Sequence, residues 1–245
     1  MKILVCISNV PDTTTKITFT PDNKQFNTAG VQFVINPYDE YALTRAIELK
    51  EAQGGTVTVL NVGEAETEAN IRKALAIGAD DAVRINAKPT DAFFVATQIA
   101  NYAKAENFDL ILMGKESVDY NGFQVHGMVA EMLNIPSITP GVKLDVNGTT
   151  ATVQREIEGG HEIIDAQLPI VVSAQQPMTE PRIPNMRGIM TARTKPLKVV
   201  EPVAADVKAD YVSYSKPEKK GGVKMIAPEN AGELITLLRN EAKVL

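Results

Sequence analysis

Residues 119 to 130 read Asp-Tyr-Asn-Gly-Phe-Gln-Val-His-Gly-Met-Val-Ala. A polar stretch ending in Gly122 runs into an apolar, periodic one, and a helix is expected to begin near Phe123. The first N–H groups of such a helix have no partner within it, and a glycine beside them lets a ligand approach the backbone. Together they form a site for an anion such as a phosphate. Asn36-Pro37-Tyr38-Asp39 is a second polar helix start, with Asn36 in an N-cap position and Pro37 in the first turn. On these residues alone ordinary capping is the simpler account of both starts. Lys115 follows Gly114 and can reach a phosphate, but the chain has neither G-x-G-x-x-G nor a P-loop, so a nucleotide would be held by another device.

Groups for catalysis are sparse. There is no Ser in a G-x-S-x-G turn. Cys6, the single cysteine, lies within an apolar strand pattern, where a thiol is ordinarily inert core. His126 falls on the helix after the polar loop, on its polar face or partly buried, and His161 follows Gly159-Gly160 in a hairpin. The two histidines are far apart, which leaves no His/Cys metal site of ordinary spacing. Aspartates and glutamates are plentiful, but no pair is fixed by its spacing.

The elements that would position these residues alternate over the first ~135 positions. KILVCIS, TVTVLNV, AVRI and DLILMG are short apolar strands, and ITFTPDNKQF and VQFVI suggest a hairpin excursion around Gly30. Between the strands, PYDEYALTRAIELKEAQ, EAETEANIRKALAIG and DAFFVATQIANYAKA have helical spacing. Val125, Met128, Val129, Met132 and Leu133 recur at i, i+3, i+4, i+7 and i+8. Such alternation predicts an α/β fold with a doubly wound, mostly parallel sheet, Rossmann-like, whose ligands sit beyond the strand carboxyl ends. Cys6–Asp12, Val62–Glu64 and 113–130 leave such ends. After Pro136 an Asn-Gly turn divides VKLDVNGTTATVQREI into an added antiparallel hairpin, which HEIIDAQ and PIVVSA continue. From about Lys198 the periodicity is lost in an extended C-terminal arm, until Ala231, Leu234, Ile235 and Leu238 line one face of a terminal helix. Residues 1–197 are thus expected to form a nucleotide-binding α/β domain and 198–245 the arm.

The chain of 245 residues is 44% hydrophobic with a formal charge of −5, enough for a full core and with no basic excess for nucleic acid. No apolar run is long enough to span a bilayer. The start shows no leader pattern, and one cysteine fits a reducing cytoplasm. Against this acidic background, EPRIPNMRGIMTARTKP (180–196) is basic, contains three prolines and carries Met186 and Met190.

Five stretches in order resemble the β subunit of electron transfer flavoproteins, over nearly the whole chain. They are KILVCISNVPDT, INPYDEYAL, ALAIGADDAVRI, VQREIEGGHEIIDAQLPIVVS and PRIPNMRGIMTARTK. The resemblance implies an electron carrier without a substrate-converting site, in a heterodimer with an α subunit that holds most of one FAD. It also implies a structural AMP in this chain, or a second FAD in electron-bifurcating members. Carried over by position, the nucleotide would contact Cys6, Asn36, Pro37, Tyr38, Asp39 and Val62. It would also contact the run Asp119, Tyr120, Asn121, Gly122, Phe123, Gln124, Val125, His126, Gly127, Met128, Val129 and Ala130. Tyr38 matches an aromatic position that faces the α-subunit flavin.

The same resemblance makes 180–196 a docking loop for acyl-CoA or other dehydrogenases, which deliver electrons bound for a downstream oxidoreductase. Met186 would be its anchor, flanked by Arg182 and Arg187, with Ile189 and Met190 beside it. Pro181 and Pro184 would keep the loop extended. Val125-His126 replaces a Thr-Gly pair common in AMP-binding members, and Tyr120-Asn121-Gly122 departs from the bifurcating Asp-Gly-Asp-Thr. Asn36-Pro37-Tyr38-Asp39 and Gln124-Val125 resemble the bifurcating form. AMP is the preferred expectation. A stand-alone nucleotide-binding regulatory module of the same fold would need no α subunit, and an ATP-using ligase or pyrophosphatase would need a Gly-rich signature where SNVPDT stands.

Overall fold

A computed structural model describes residues 1–218 and 221–245. Lys219 and Lys220 of the expected arm lie outside the described residues. The first strand, β1 (Lys2–Cys6), feeds both faces of the sheet. Ile3 and Val5 enter one core cluster, and Leu4 and Cys6 enter the other. Side chains alternate along a strand, so a strand buried on both faces must be apolar at every position. That is why KILVC shows no alternation of its own.

Among the described residues nine strands form the main sheet. In chain order they are β1, β4 (Thr56–Val62), β5 (Asp81–Ile85), β6 (Leu110–Gly114), β7 (Ser137–Asn147), β8 (Thr150–Ile157), β9 (Gly160–Gln167), β10 (Ile170–Ala174) and β11 (Leu197–Val200). Two short strands, β2 (Asn9–Pro11) and β3 (Phe33–Ile35), pair apart from it. The spatial order is β11-β5-β4-β1-β6-β10-β7-β8-β9, with every pairing from β11 to β7 parallel. The pairs β7–β8 and β8–β9 are antiparallel.

Helices α1 (Pro37–Gln53) and α2 (Glu68–Ile77) cover one face, and α3 (Ala92–Glu106) and α4 (Val125–Leu133) cover the other. The doubly wound α/β architecture expected from the sequence is therefore the one observed. The chain steps outward from β1 through β4 to β5, then returns to the other side of β1 with β6. The strand order reverses between β1 and β6, and a crevice opens beyond their carboxyl ends.

Three details differ from the sequence reading. PIVVSA does not continue the antiparallel hairpin; as β10 it re-enters the sheet between β6 and β7, parallel to both. All five residues of β10 are buried, and a two-sided apolar strand belongs at the sheet centre rather than at a solvated edge. Around Gly30 the paired strands are 9–11 and 33–35, and the intervening excursion holds only the bridge Phe19–Phe26. Helix α4 begins at Val125, two residues after the expected start, because Phe123 has a positive φ of 49°. The Asn147-Gly148 turn joins β7 to β8 as expected, with Gly148 at φ +61°.

Candidate functional site

A cleft of about 440 Å³ lies beyond the ends of β1, β4 and β6. That size falls within the usual range for small-ligand sites. At its floor Asp39, in the first turn of α1 and only 3% exposed, joins two neighbouring strand ends. Its Oδ2 accepts from Ser8 N and Ser8 Oγ, both at 2.7 Å, and its Oδ1 accepts from Gly114 N at 2.8 Å. Burial raises the Asp39 carboxyl from 3.8 to about 6, while the Ser8 and Gly114 donors oppose that rise. At neutral pH the group is a carboxylate held by three donors. Gly114 is required here because a Cβ at this position would collide with Asp39 Oδ1 and the Tyr38 side chain.

Asn36 occupies the N-cap position of α1, but its side chain does not cap the helix. Its Nδ2 donates to Glu116 O (2.8 Å) and its Oδ1 accepts from Val118 N (3.2 Å), so it holds the β6–α4 loop against α1. Asn61 Nδ2 donates to Ile7 O at 2.9 Å, tying the end of β4 to β1. Arg84, buried on β5, donates to Gly63 O at 3.0 Å and to Asn86 Oδ1 at 2.8 Å, fixing the turn after β4. Cys6 is buried, and burial with the nearby Asp39 charge pushes its thiol far up, which keeps it protonated and unreactive.

The start of α4 bounds the same cleft through Gln124 and Val125. Gln124 makes no side-chain cap, and no neighbour lies within 4 Å of a Cβ built on Gly127. His126 is buried edge-on to Phe123 at 5.0 Å, and its Nδ1 has no partner in hydrogen-bonding geometry among the described residues. Burial holds this imidazole below its ordinary value, so it is neutral at pH 7. With no side chain capping its first-turn amides, this helix start is compatible with a phosphate bound at the rim of the cleft.

Of the residues expected at a nucleotide, Cys6, Asp39, Val62, Asp119, Tyr120, Gly122, Phe123, Gln124 and Val125 line the cleft. Asn36, Pro37, Tyr38, Asn121, His126, Gly127, Met128, Val129 and Ala130 are not among its lining residues. Val129 and Ala130 pack into the core between α4 and the sheet. Tyr38 lies beneath Lys115, whose Nζ is 4.9 Å from the ring centroid. The sequence reading missed Lys88, Thr90 and Asp91 in the loop after β5, and Tyr211 in the arm. Asp91 carried a signal as the N-cap of α3, whereas nothing local marked Tyr211.

The basic segment lies away from the cleft. Within it residues Met186–Ala192 form a short helix, α5, so the stretch expected to be extended is partly helical. Asn185 starts the helix by accepting from Gly188 N (2.8 Å), and Gly188 packs directly on the Ala76 carbonyl of α2. Arg72 Nη1 donates to Ala192 O (2.8 Å) and Lys195 O (2.7 Å), and Lys195 Nζ donates to Leu75 O (2.9 Å). So clamped, the segment leaves Ile183 90%, Met186 75% and Met190 68% exposed, with Ile189 partly exposed and Arg187 nearby. Arg182 pairs with Glu51 at the surface through two bonds of 2.8 and 2.7 Å and stays partly exposed beside the segment. The terminal helix, α6 (Ala231–Asn240), has no buried residue, and Leu234 and Ile235 are exposed. Among the described residues no helix is long and apolar enough to cross a membrane, and no cluster of His, Cys, Asp and Glu could hold a metal ion.

The family model "Electron transfer flavoprotein domain" matches residues 24–205. Relatives named "Electron transfer flavoprotein subunit beta" include one from Bacillus subtilis (strain 168), 40% identical over 259 residues covering all of both chains. One from Syntrophomonas wolfei subsp. wolfei is 36% identical, covering all of this chain and 98% of the relative. A mitochondrial one from Oryza sativa subsp. indica is 36% identical over the whole of both.

Proposed function

The chain belongs to the electron transfer flavoprotein family as a β subunit, and on that premise we propose that it binds AMP in the β1–β6 cleft and works as an electron carrier within an αβ heterodimer. The observation that carries the nucleotide reading is the cleft itself, at the reversal of strand order, with the uncapped α4 start on its rim. The first-turn amides of α4 and the Lys115 ammonium bind the phosphate. The Asp39 clasp and the Asn36 brace hold the two strand ends and the loop around the nucleoside. Six carboxylates line the cleft (Asp39, Glu64, Glu66, Asp91, Glu116 and Asp119) against two lysines, Lys88 and Lys115, which disfavours a triphosphate. A second FAD in the same cleft is the alternative, favoured by the likeness of Asn36-Pro37-Tyr38-Asp39 and Gln124-Val125 to the bifurcating form.

The FAD held mainly by the α subunit supplies the one- and two-electron redox chemistry when bound. This chain contributes Tyr38 beside it and the surfaces that bring partners to it. Met186, with Ile189, Met190, Arg187 and the nearby Arg182, docks on acyl-CoA or other dehydrogenases, and a downstream oxidoreductase receives the electrons. The preformed α5 platform reduces the ordering cost of docking. The exposed apolar stripe of α6 packs on the α subunit, so the chain beyond β11 serves as an assembly arm beside the nucleotide-binding domain. The sheet of that domain takes in β11 (Leu197–Val200) and so extends past the boundary at 197 expected from the sequence. The complex works in the cytoplasm. Co-expression with the α chain tests this reading. A flavin-containing heterodimer on size exclusion is expected; a β chain that runs alone, or a complex without flavin, overturns it.

A further inference from the structure

The arm does not leave the domain at once. After β11 it runs from Val203 to Tyr214 along the rim of the cleft, tied at three places. Val203 N donates to Gln98 Oε1 (2.8 Å) and Gln98 Nε2 donates to Val203 O (2.8 Å), from a glutamine buried on α3. Lys208 N and Ala209 N both donate to Asp91 Oδ2, at 2.5 and 2.8 Å, while Oδ1 of the same carboxylate caps α3 through Phe94 N at 2.7 Å. Tyr214 N donates to Asn23 O (2.8 Å) in the excursion between β2 and β3.

Between the last two ties the aromatic rings form a ladder. Tyr211 packs on Tyr120 with centroids 4.9 Å apart and on Tyr214 at 6.1 Å, and Tyr214 stacks on Phe19 at 5.2 Å. Both Tyr120 and Tyr211 line the cleft. Three segments remote in sequence, namely the excursion, the β6–α4 loop and the arm, thus meet through aromatic faces beside one cavity. A stretch without regular structure stays ordered only where specific contacts offset its lost freedom. An arm serving solely to reach a partner subunit has no use for two buried side chains of its own domain.

We propose that residues 203–214 form a wall of the nucleotide cleft, and that Tyr211 is a nucleotide-retaining residue whose ring, backed by Tyr120, covers the bound adenosine 5′-phosphate group. This rests on the reading of the cleft as a nucleotide site, and the adenosine phosphate is common to AMP and FAD. Departure of the nucleotide then requires the arm to lift from Asp91 and from the tyrosine ladder. The arm has two roles along its length, closing the cleft with its first part and presenting α6 with its last.

The test uses the purified αβ complex diluted into nucleotide-free buffer, with the released nucleotide quantified by mass spectrometry. Visible absorbance of the α-subunit flavin serves as an internal reference. Asp91→Asn keeps an oxygen to cap Phe94 N but turns an amide NH₂ toward the Lys208 and Ala209 N–H groups, so it weakens the tie while sparing α3. Tyr211→Ala removes the covering ring. Both variants are expected to release the nucleotide about tenfold faster, with flavin absorbance unchanged, whereas Tyr211→Phe, which keeps the ring, restores slow release. Wild-type release rates in both Asp91→Asn and Tyr211→Ala would overturn the proposal. A wild-type complex with no nucleotide besides the α-subunit flavin refutes the cleft reading itself, and this wall with it.

Discussion

Asp39→Asn isolates the buried carboxylate that joins β1, β6 and α1. Burial raises Asp39 from 3.8 to about 6. Below the lower value the group is neutral in both the folded and the unfolded chain. As pH rises, the unfolded chain loses its proton first, so the folded state loses stability until the pH passes about 6. At roughly 1.4 kcal/mol per tenfold change in protonation, the full effect is about 3 kcal/mol, of which about 2 kcal/mol falls between about pH 4.5 and about pH 7.5.

Asparagine has no such titration. It does place a donor where Asp39 had an acceptor, leaving either the Ser8 pair or Gly114 N unmet, at a pH-independent cost of about 1–3 kcal/mol. His126, held low by burial, changes stability in the opposite direction over an overlapping range, but it is common to both proteins and cancels in their difference. Urea unfolding of the isolated chain, wild-type and variant, measures that difference at both pH values. The variant should gain about 2 kcal/mol on the wild type between the acid and the neutral measurement. A difference that stays flat with pH refutes the reasoning, because a buried carboxyl with a raised pKa requires the trend.

Three further substitutions follow from the geometry. Met186→Ala should leave flavin content intact and slow electron uptake from a dehydrogenase about tenfold or more, read by stopped-flow flavin reduction; unchanged uptake counts against the anchor. Arg72→Gln removes the donor shared by Ala192 O and Lys195 O, and should cost about 1–3 kcal/mol in urea unfolding and slow the same uptake with Met186 intact. Asn36→Ala frees Glu116 O and Val118 N in the β6–α4 loop, and should weaken nucleotide retention about tenfold in a dialysis assay, leaving Met186-dependent docking unchanged.

The sequence exposed whatever is encoded locally. Short apolar strands between amphipathic helices fixed the parallel sheet, and three strand-end segments pointed to the crevice where the cleft lies. Partner choice was less visible. The residues of β10 are apolar whether the strand continues a hairpin or enters the centre, and only the packed sheet decides between them. Asn36 looked like an N-cap because Asn before a helix ordinarily is one; its bonds to Glu116 and Val118, some eighty residues away, have no local signature. Prolines around Met186 suggested an extended loop, yet Asn185 and Gly188 start a helix that Arg72 and Lys195 fasten to α2. Tyr211 enters the cleft wall only through the path of the arm, which has no periodic pattern to read.

The central claim is that this β subunit holds AMP in the cleft between the ends of β1 and β6. Denaturing the purified αβ complex and quantifying the released nucleotides tests it most directly. One AMP and one FAD per heterodimer is the predicted result. Two FAD without AMP contradicts the assignment of the ligand, and one FAD with no second nucleotide contradicts the assignment of the site.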